Sequence, residues 1–136
     1  MNVLIVEPMK EPYESDIESG LESLQKAVGG YIEAVYPFDD PVGIICNEEG
    51  KLIGLPLNRC LRDSDGNIYD VLAGKFLVVG LGEEGFTDLP PQMMEKYKKY
   101  YKDPERFMRL AGQMTAVKCP IQAEKKAQKA HSEFEL

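Results

Sequence analysis

The chain has 136 residues, a net charge of −7 at neutral pH and an ordinary share of hydrophobic residues, 43%. A length and composition of this kind predict one soluble globular domain with a single modest core. No apolar run approaches the roughly 18 residues of a membrane span, and the first apolar run stops at Glu7-Pro8, too early for a signal peptide. We therefore expect a cytoplasmic protein that does not contact a membrane.

The charge is unevenly distributed along the chain. Residues 1–70 carry 14 acidic and 5 basic side chains, whereas residues 71–136 carry 9 acidic and 11 basic ones. The first part should repel nucleic acid, and the second is too balanced to form a strong phosphate-binding surface. Direct nucleic-acid binding is therefore disfavoured, although mimicry of nucleic acid by the acidic part stays open.

The N-terminal part of the sequence predicts a strand, a helix and a second strand. Residues 2–7 are a β-branched run bounded by a proline, which is typical of a strand. Ser15 and Glu18 have the spacing of a capping box at a helix start, and Gly29-Gly30 supplies the left-handed residue that ends a helix. Residues 31–36, β-branched and aromatic, predict the next strand. The apolar stripe of the predicted helix recurs every three or four positions: Ile17, Leu21, Leu24 and Val28.

A β-hairpin is the expected centre of the fold. Residues 42–46 and 51–55 are apolar runs that flank a four-residue loop, in which Gly50 can take the left-handed conformation that closes a hairpin. Pro56 cannot donate to a β-ladder, so the second strand should end there. Residues 57–61 are then expected to form one short helical turn.

The second half of the chain predicts two more strands and two helices. Residues 68–72 and 75–79 are short apolar runs of strand length. Pro90-Pro91 suits the first turn of one helix. Asp103-Pro104 suits the cap and first position of a second helix, which should cover residues 105–110.

Together these elements predict an α+β domain with a mostly antiparallel sheet, an N-terminal β-α-β unit and C-terminal helices packed on one face or end. The single domain spans residues 1–111. Residues 112–136 form a polar C-terminal tail that we expect to be flexible or partly helical.

Two motifs raise the question of a ligand. Gly80, Gly82 and Gly85 match G-x-G-x-x-G after a strand, but no helix opens within the motif, and Glu83-Glu84 stand where a phosphate would bind. Residues 63–70 are similar to a calcium loop, yet glycine and glutamate do not fall at its sixth and twelfth positions. A plain glycine loop, and a turn in which Asp and Asn bond the local backbone, are the favoured interpretations.

The sequence predicts no catalytic or metal site. Cys46, Cys60 and Cys119 have no C-x-x-C spacing and are expected to be buried or inert thiols. The single histidine, His131, lies in the polar tail, so neither a Cys–His pair nor a usual zinc site is indicated. Adjacent carboxylates in turns are usually solvated, which does not favour acid–base catalysis. We predict no cofactor and favour a binding protein over an enzyme.

Four residues are candidates for binding a ligand or a partner: Arg59, Asn58, Tyr31 and Glu33. An arginine at the end of a strand can fork onto a carboxylate or phosphate, and a neighbouring asparagine offers a donor and an acceptor. The structural alternatives are a salt bridge from Arg59 to a nearby aspartate, at 63 or 65, a helix cap by Asn58 and a half-buried strand position for Tyr31.

The sequence resembles a known family in three elements. These are Gly-Gly-Tyr-Ile-Glu at 29–33, Asn-Glu-Glu-Gly-Lys-Leu at 47–52 and Gly-Leu-Pro-Leu-Asn-Arg at 54–59. They are similar to a small domain of unknown function, the DUF3846 type, carried by phages, plasmids and conjugative transposons. The likeness covers about residues 1–110 and brings no catalytic residues with it. Because such genes travel with antirestriction and conjugation genes, the resemblance implies an accessory role by association.

Three functions are compatible with these observations. The leading one is a non-enzymatic binding protein of a mobile element that antagonises a host defence or regulatory protein, its partner being an unknown host or element-encoded protein. The second is a protein that binds or sequesters a small ligand, a nucleotide or another anion, near Arg59, Asn58 and Tyr31. The third and least favoured is a carboxylate-based hydrolase, which requires at least two acids to converge in a cleft.

Overall fold

Ten strands and two helices occupy residues 1–120, the part of the chain that the computed structural model describes. In chain order they are β1 (Asn2–Val6), β2 (Tyr13–Asp16), α1 (Leu21–Val28), β3 (Ile32–Val35), β4 (Val42–Asn47), β5 (Leu57–Arg62), β6 (Ile68–Ala73), β7 (Phe76–Gly82), β8 (Gly85–Thr87), α2 (Pro91–Tyr100), β9 (Glu105–Leu110) and β10 (Gln113–Lys118). Neither helix is long and apolar enough to cross a membrane.

Six of these strands form one antiparallel sheet. Its order is β2-β1-β7-β4-β3, and β8 pairs with the end of β7. The other four strands form two separate antiparallel hairpins, β5–β6 and β9–β10. The predicted mostly antiparallel α+β architecture is therefore confirmed at this level.

The main sheet is covered on both faces, which explains why its central strands are continuously apolar. Successive residues of a strand point to opposite faces, and Val3 joins one buried cluster while its neighbour Leu4 joins the other. Helix α1 covers the first face through Leu24 and Val28. The second face is covered by α2 and the β5–β6 hairpin, through four buried side chains: Met94, Tyr97, Leu61 and Leu72. Strands that are buried on both faces do not alternate between apolar and polar residues.

The predicted N-terminal β-α-β unit differs from the structure in two ways. Ser15, which was expected to cap the helix, lies in β2 and pairs with Val3 of β1. The segment around Ser15 is therefore a strand and not the start of a helix. Helix α1 begins only after Gly20, which makes no side-chain cap hydrogen bond. In addition, β1 and β3 are not neighbours in the sheet. The predicted helix end is confirmed, since Gly29 adopts the left-handed conformation, with φ 79°.

The predicted central hairpin is wrong. Residues 51–55 are turns, and the chain instead crosses to β5, which covers the stretch expected to form a helical turn and pairs with β6. Gly50 is not among the residues with positive φ, whereas Gly54 is, with φ 76°. Gly50 is needed for space, because a Cβ there would lie 2.8 Å from the carbonyl oxygen of Ala73. Strand β4 already pairs with β3 on one edge and with β7 on the other, so residues 51–55 have no free edge of β4 to pair with.

The C-terminal prediction is right for one helix and wrong for the other. Helix α2 begins at Pro91, as expected. Residues 105–110, predicted as a helix, form β9. Ala111 and Gly112 both have positive φ and make the two-residue turn into β10, as the tightest hairpin turns require. The predicted domain boundary at residue 111 therefore falls inside a hairpin, and residues 113–118 of the predicted tail are a strand. The expected helical tendency of residues 122–136, and His131, lie outside the described residues.

The G-x-G-x-x-G motif is the β7–β8 hairpin. Gly82 pairs with Gly85 across a turn formed by Glu83 and Glu84, and no helix opens in the motif. Gly80, earlier in β7, permits a close approach, because a Cβ there would lie 2.2 Å from the carbonyl oxygen of Asp88. The structure accounts for these glycines by turn geometry and packing, in agreement with the preference for a plain glycine segment over a nucleotide cradle.

We expect Gly80→Ala to lower the free energy of unfolding by about 1–3 kcal/mol, because the backbone must shift to admit the methyl group. Gly82→Ala is the matched control, since the nearest atom to its Cβ would be the Thr87 methyl group, at 3.3 Å, and the nearest backbone atom the Gly85 carbonyl oxygen, at 3.4 Å. Urea denaturation measures both changes. Equal stability of the two variants would contradict the importance of the close approach at Gly80.

Candidate functional site

Asn58 and Arg59 are buried in β5 rather than released into solvent, with exposed fractions of 0% and 1%. The Asn58 side-chain amide donates to the carbonyl oxygens of Val6, at 2.9 Å, and Gly74, at 2.8 Å. It therefore ties the end of β1 to the turn between β6 and β7. The interpretation of Asn58 as a helix cap is wrong, because it lies within a strand.

The Arg59 guanidinium joins three separate segments. Nη1 donates to the Asn58 Oδ1 atom, and Nη2 donates to the carbonyl oxygens of Lys10 and Tyr101, each at 2.8 Å. These acceptors lie in β5, in the loop between β1 and β2 and just after α2. Arg59 forms no ion pair with a carboxylate among residues 1–120, so the predicted bridge to an aspartate at 63 or 65 is wrong. Its hydrogen bonds stabilise the junction of the hairpin, the sheet and the helix.

Tyr31 and Glu33 lie elsewhere on the molecule. Tyr31 is 70% exposed, more than the half-buried position considered for it. Glu33 is exposed on β3, an edge strand, opposite Cys46. The cavity lined by Arg59 and the groove lined by Glu33 share no residue. The structure does not bring the four predicted residues together at one site.

A different set of residues forms an open cleft of about 630 Å³. It lies where the turn after β3, the turn between β5 and β6, and helix α2 meet. We call it the aromatic cleft, because five aromatic side chains line it: Tyr36, Phe38, Tyr69, Tyr97 and Tyr100. The three tyrosines at its rim, Tyr36, Tyr69 and Tyr100, are 58%, 58% and 48% exposed.

The floor of the aromatic cleft is held rigidly by ring contacts that extend into the core. Phe38 lies against Tyr97 and Tyr100, with ring centroids 4.6 and 5.5 Å apart. Tyr100 in turn meets Tyr101, which packs edge-on against Phe76 of β7 at 5.3 Å. Tilted and edge-to-face pairs at these separations are favourable beyond the area they bury. The floor is therefore continuous with one of the two buried clusters.

Three carboxylates and two cations line the aromatic cleft, and each cation has an ion-pair partner: Lys96 pairs with Asp40, and Arg62 pairs with Glu105. Lys96 and the Tyr97 hydroxyl both donate to the Asp40 Oδ2 atom, and these hydrogen bonds lower the pKa of Asp40. Burial and the bond to Asp40 raise the pKa of Tyr97. Asp39 and Asp63 also line the cleft and form no ion pair within residues 1–120. Two carboxylates thus stand uncompensated beside exposed aromatic rings.

The calcium-loop and thiol interpretations are also resolved by the structure. Asp63 Oδ1 accepts hydrogen bonds from the backbone N–H groups of Asp65 and Asn67, at 3.0 and 2.9 Å, which is the expected local turn. Within residues 1–120, no group of three or more His, Cys, Asp or Glu side chains could hold a metal ion. Cys46 and Cys60 are buried, and burial raises the pKa of each to about 11.

Sequence reasoning did not identify the aromatic cleft because its residues come from three segments far apart in the chain. Residues 36–40, 62–69 and 96–100 supply its walls. The available signal was the presence of tyrosines in or beside predicted turns, where a large aromatic side chain has little core to enter. The tyrosines at 36 and 69 fit that description.

The described part of the chain is thus a small antiparallel α+β domain with a buried polar junction and an open, acidic, tyrosine-rimmed cleft. The chain belongs to the family described as "Domain of unknown function (DUF3846)", whose model matches residues 1–102. The resemblance seen in the sequence is confirmed by this match. Comparison with curated proteins and with solved structures finds no match to either.

We expect Asn58→Ala to lower the free energy of unfolding by about 2–3 kcal/mol, because it removes three buried hydrogen bonds, two to carbonyl oxygens and one from the Arg59 guanidinium. The matched control is Asn67→Ala, which removes the same side chain from an exposed turn. Chemical denaturation of both variants measures the difference. A stability loss at Asn67 as large as that at Asn58 would show that the junction has no special role.

The thiols should differ in reactivity. Because the thiolate is the reactive form, and because burial and a pKa near 11 suppress it at Cys46 and Cys60, the folded protein should be alkylated there only after unfolding. Cys119 is only partly buried and should react first. Mass spectrometry after iodoacetamide treatment at mildly alkaline pH, with and without denaturant, measures this order. Native labelling of Cys60 at the rate of Cys119 would contradict it.

Proposed function

We propose that this protein is a non-enzymatic binding protein that docks a cationic segment of a partner protein in the aromatic cleft. The observation that carries the proposal is the combination of three exposed tyrosine rings and two uncompensated carboxylates around one cleft of about 630 Å³. Exposed tyrosines on a rigid support are the side chains that contribute most often to binding energy at protein interfaces.

The chemistry of the cleft favours arginine or lysine as the group that is bound. An aromatic face attracts a cation through its quadrupole, with a gain of about 0.5–2 kcal/mol. Asp39 and Asp63 can accept charge-assisted hydrogen bonds from the same cation. The same two carboxylates would repel phosphate, which disfavours nucleic acid as the occupant.

The setting we propose follows from the family resemblance in the sequence. The protein would act in the cytoplasm as an accessory of a mobile genetic element, carried by a phage, plasmid or conjugative transposon. Its partner would be a host defence or regulatory protein, or one that the element itself encodes. The net charge of −7 supports electrostatic attraction to a basic partner surface.

Two alternatives from other classes keep some support. The volume of the aromatic cleft falls in the range of small-molecule sites, which supports the binding or sequestering of a small ligand. A carboxylate-based hydrolase needs converging acids, and Asp39, Asp40 and Asp63 do line one cleft. However, the lowered pKa of Asp40 is opposite to what a general acid requires. The binding protein is therefore preferred.

A short fluorescent peptide of alternating Arg and Gly tests the proposal by anisotropy, against a Glu and Gly peptide of equal length. We expect saturable binding of the cationic peptide. Tyr69→Ala should weaken it about threefold to thirtyfold through loss of a ring face. The double variant Asp39→Asn, Asp63→Asn should weaken binding of the cationic peptide by a similar factor. Asparagine at position 63 keeps a side-chain oxygen that can accept the hydrogen bonds from the backbone N–H groups of Asp65 and Asn67.

The controls make the same chemical changes away from the cleft. Tyr31→Ala removes a ring that is more exposed than Tyr69, and Glu33→Gln removes an exposed carboxylate. Both should leave the affinity for the cationic peptide unchanged. If the controls weaken binding as much as the cleft variants do, or if no variant has an effect, attraction to the acidic surface in general accounts for the binding and the proposed cleft is wrong.

A further inference from the structure

A second, more enclosed cavity of about 120 Å³ lies beside the Arg59 junction. Strands β5 and β9, the end of α2 and the last residue of β10 surround it. Eight residues line it, among them five charged side chains and a buried tyrosine: Arg59, Arg62, Asp103, Glu105, Lys118 and Tyr101. We call it the Arg59 cavity.

Two residues that line the Arg59 cavity each carry a buried polar atom with no hydrogen-bond partner among residues 1–120: Arg59 Nε and the Tyr101 hydroxyl oxygen. The residues that carry them are 1% and 2% exposed. An arginine Nε can only donate, and a tyrosine hydroxyl can donate. A buried donor without a partner is costly, so this pair indicates an acceptor in the cavity.

The charges around the Arg59 cavity favour an acceptor that is negative. Arg59 is a buried cation whose hydrogen bonds within residues 1–120 all go to uncharged oxygens. Lys118 adds a second cation, whereas Arg62 and Glu105 form an ion pair that contributes no net charge. Of the two carboxylates, Glu105 is already engaged, because its oxygens accept from Arg62, at 3.1 Å, and from the N–H of Cys60, at 2.8 Å. Only Asp103 opposes an anion.

The size of the cavity limits the ligand. About 120 Å³ is well above the space that one water molecule needs, but it is below the 300–1,000 Å³ typical of sites for drug-sized ligands. A nucleoside is too large for a cavity of this volume, whereas a single phosphate, sulfate or carboxylate group can enter it. Arginine is well suited to such groups because its donors match the geometry of their oxygens.

We propose that the Arg59 cavity is a binding site for a small oxyanion, which accepts hydrogen bonds from Arg59 Nε and the Tyr101 hydroxyl while the positive charges of Arg59 and Lys118 balance its charge. Arg62 and Tyr100 line both this cavity and the aromatic cleft, but Arg59, Tyr101 and Lys118 line this cavity alone of the two. The cationic-peptide experiment and the anion experiment can therefore fail separately.

Thermal unfolding of the full chain in phosphate, sulfate or acetate, against chloride at equal ionic strength, tests the proposal. Bound anion should raise Tm by roughly 5 °C or more at about one hundred times its Kd. Saturation separates binding from the general stabilisation by phosphate and sulfate, which grows steadily with concentration. A response to phosphate and sulfate but not acetate identifies a tetrahedral oxyanion, and a response to acetate alone identifies a carboxylate.

Tyr101→Phe provides the decisive comparison, because it removes only the hydroxyl. Without anion it should be as stable as the parent or more so, since a buried unsatisfied group is lost. Its anion affinity should fall about tenfold to a hundredfold. Lys118→Gln should weaken affinity, and Asp103→Asn should strengthen it by removing the opposing charge. Tyr31→Phe, which removes a hydroxyl outside the cavity, should leave the affinity unchanged.

Two results would overturn the proposal. One is a Tm response to the anions that does not saturate, or that is identical in the parent and in Tyr101→Phe. The other is the absence of any anion effect combined with a loss of stability in Asp103→Asn. The second result would show that the Asp103 carboxylate itself serves as the acceptor for Arg59, leaving the cavity to water.

Discussion

The buried Arg59 guanidinium is the contact on which the arrangement of the domain depends. Its nitrogens bind oxygens from the loop after β1, from β5 and from the end of α2, so one side chain spans the sheet, the hairpin and the helix. Desolvation lowers the pKa of Arg59, but an arginine keeps its charge even when buried. A permanent charge with several donors therefore fixes the relative positions of three elements that apolar packing alone would leave less well specified.

The sequence was informative where local chemistry decides the structure. The apolar run at 2–6, the glycine that ends α1 and the proline that begins α2 each behave as expected, because their effects act within a few residues. The hairpin expected around Gly50 was wrong because both edges of β4 are occupied, one by β3 and the other by β7, which lies about thirty residues further along the chain. Residues 105–110 were expected to be helical because the Asp-Pro signal is local, whereas pairing with β10 is set by the turn that follows.

The residues of the two candidate sites, the Arg59 cavity and the aromatic cleft, were harder to predict than the fold. Arginine is seldom fully buried, so Arg59 was expected to face solvent. Its burial depends on carbonyl groups at Lys10 and Tyr101, which lie 49 and 42 residues away in the chain. The aromatic cleft also depends on segments that lie far apart in the chain, since no two of its three walls are adjacent in sequence. Features assembled from distant segments have no local pattern to reveal them, even when each segment is interpreted correctly.

The β9–β10 hairpin lines the Arg59 cavity but lies outside both buried clusters. The family match ends at residue 102, and the hairpin begins at 105. Neither buried cluster contains a residue from it, yet it supplies Glu105 and Lys118 to the wall of the Arg59 cavity. The residues that pack the sheet and the residues that complete the wall of the Arg59 cavity thus come from different stretches of the sequence. A substitution at Lys118 can therefore alter the lining of the Arg59 cavity without changing a residue of either buried cluster.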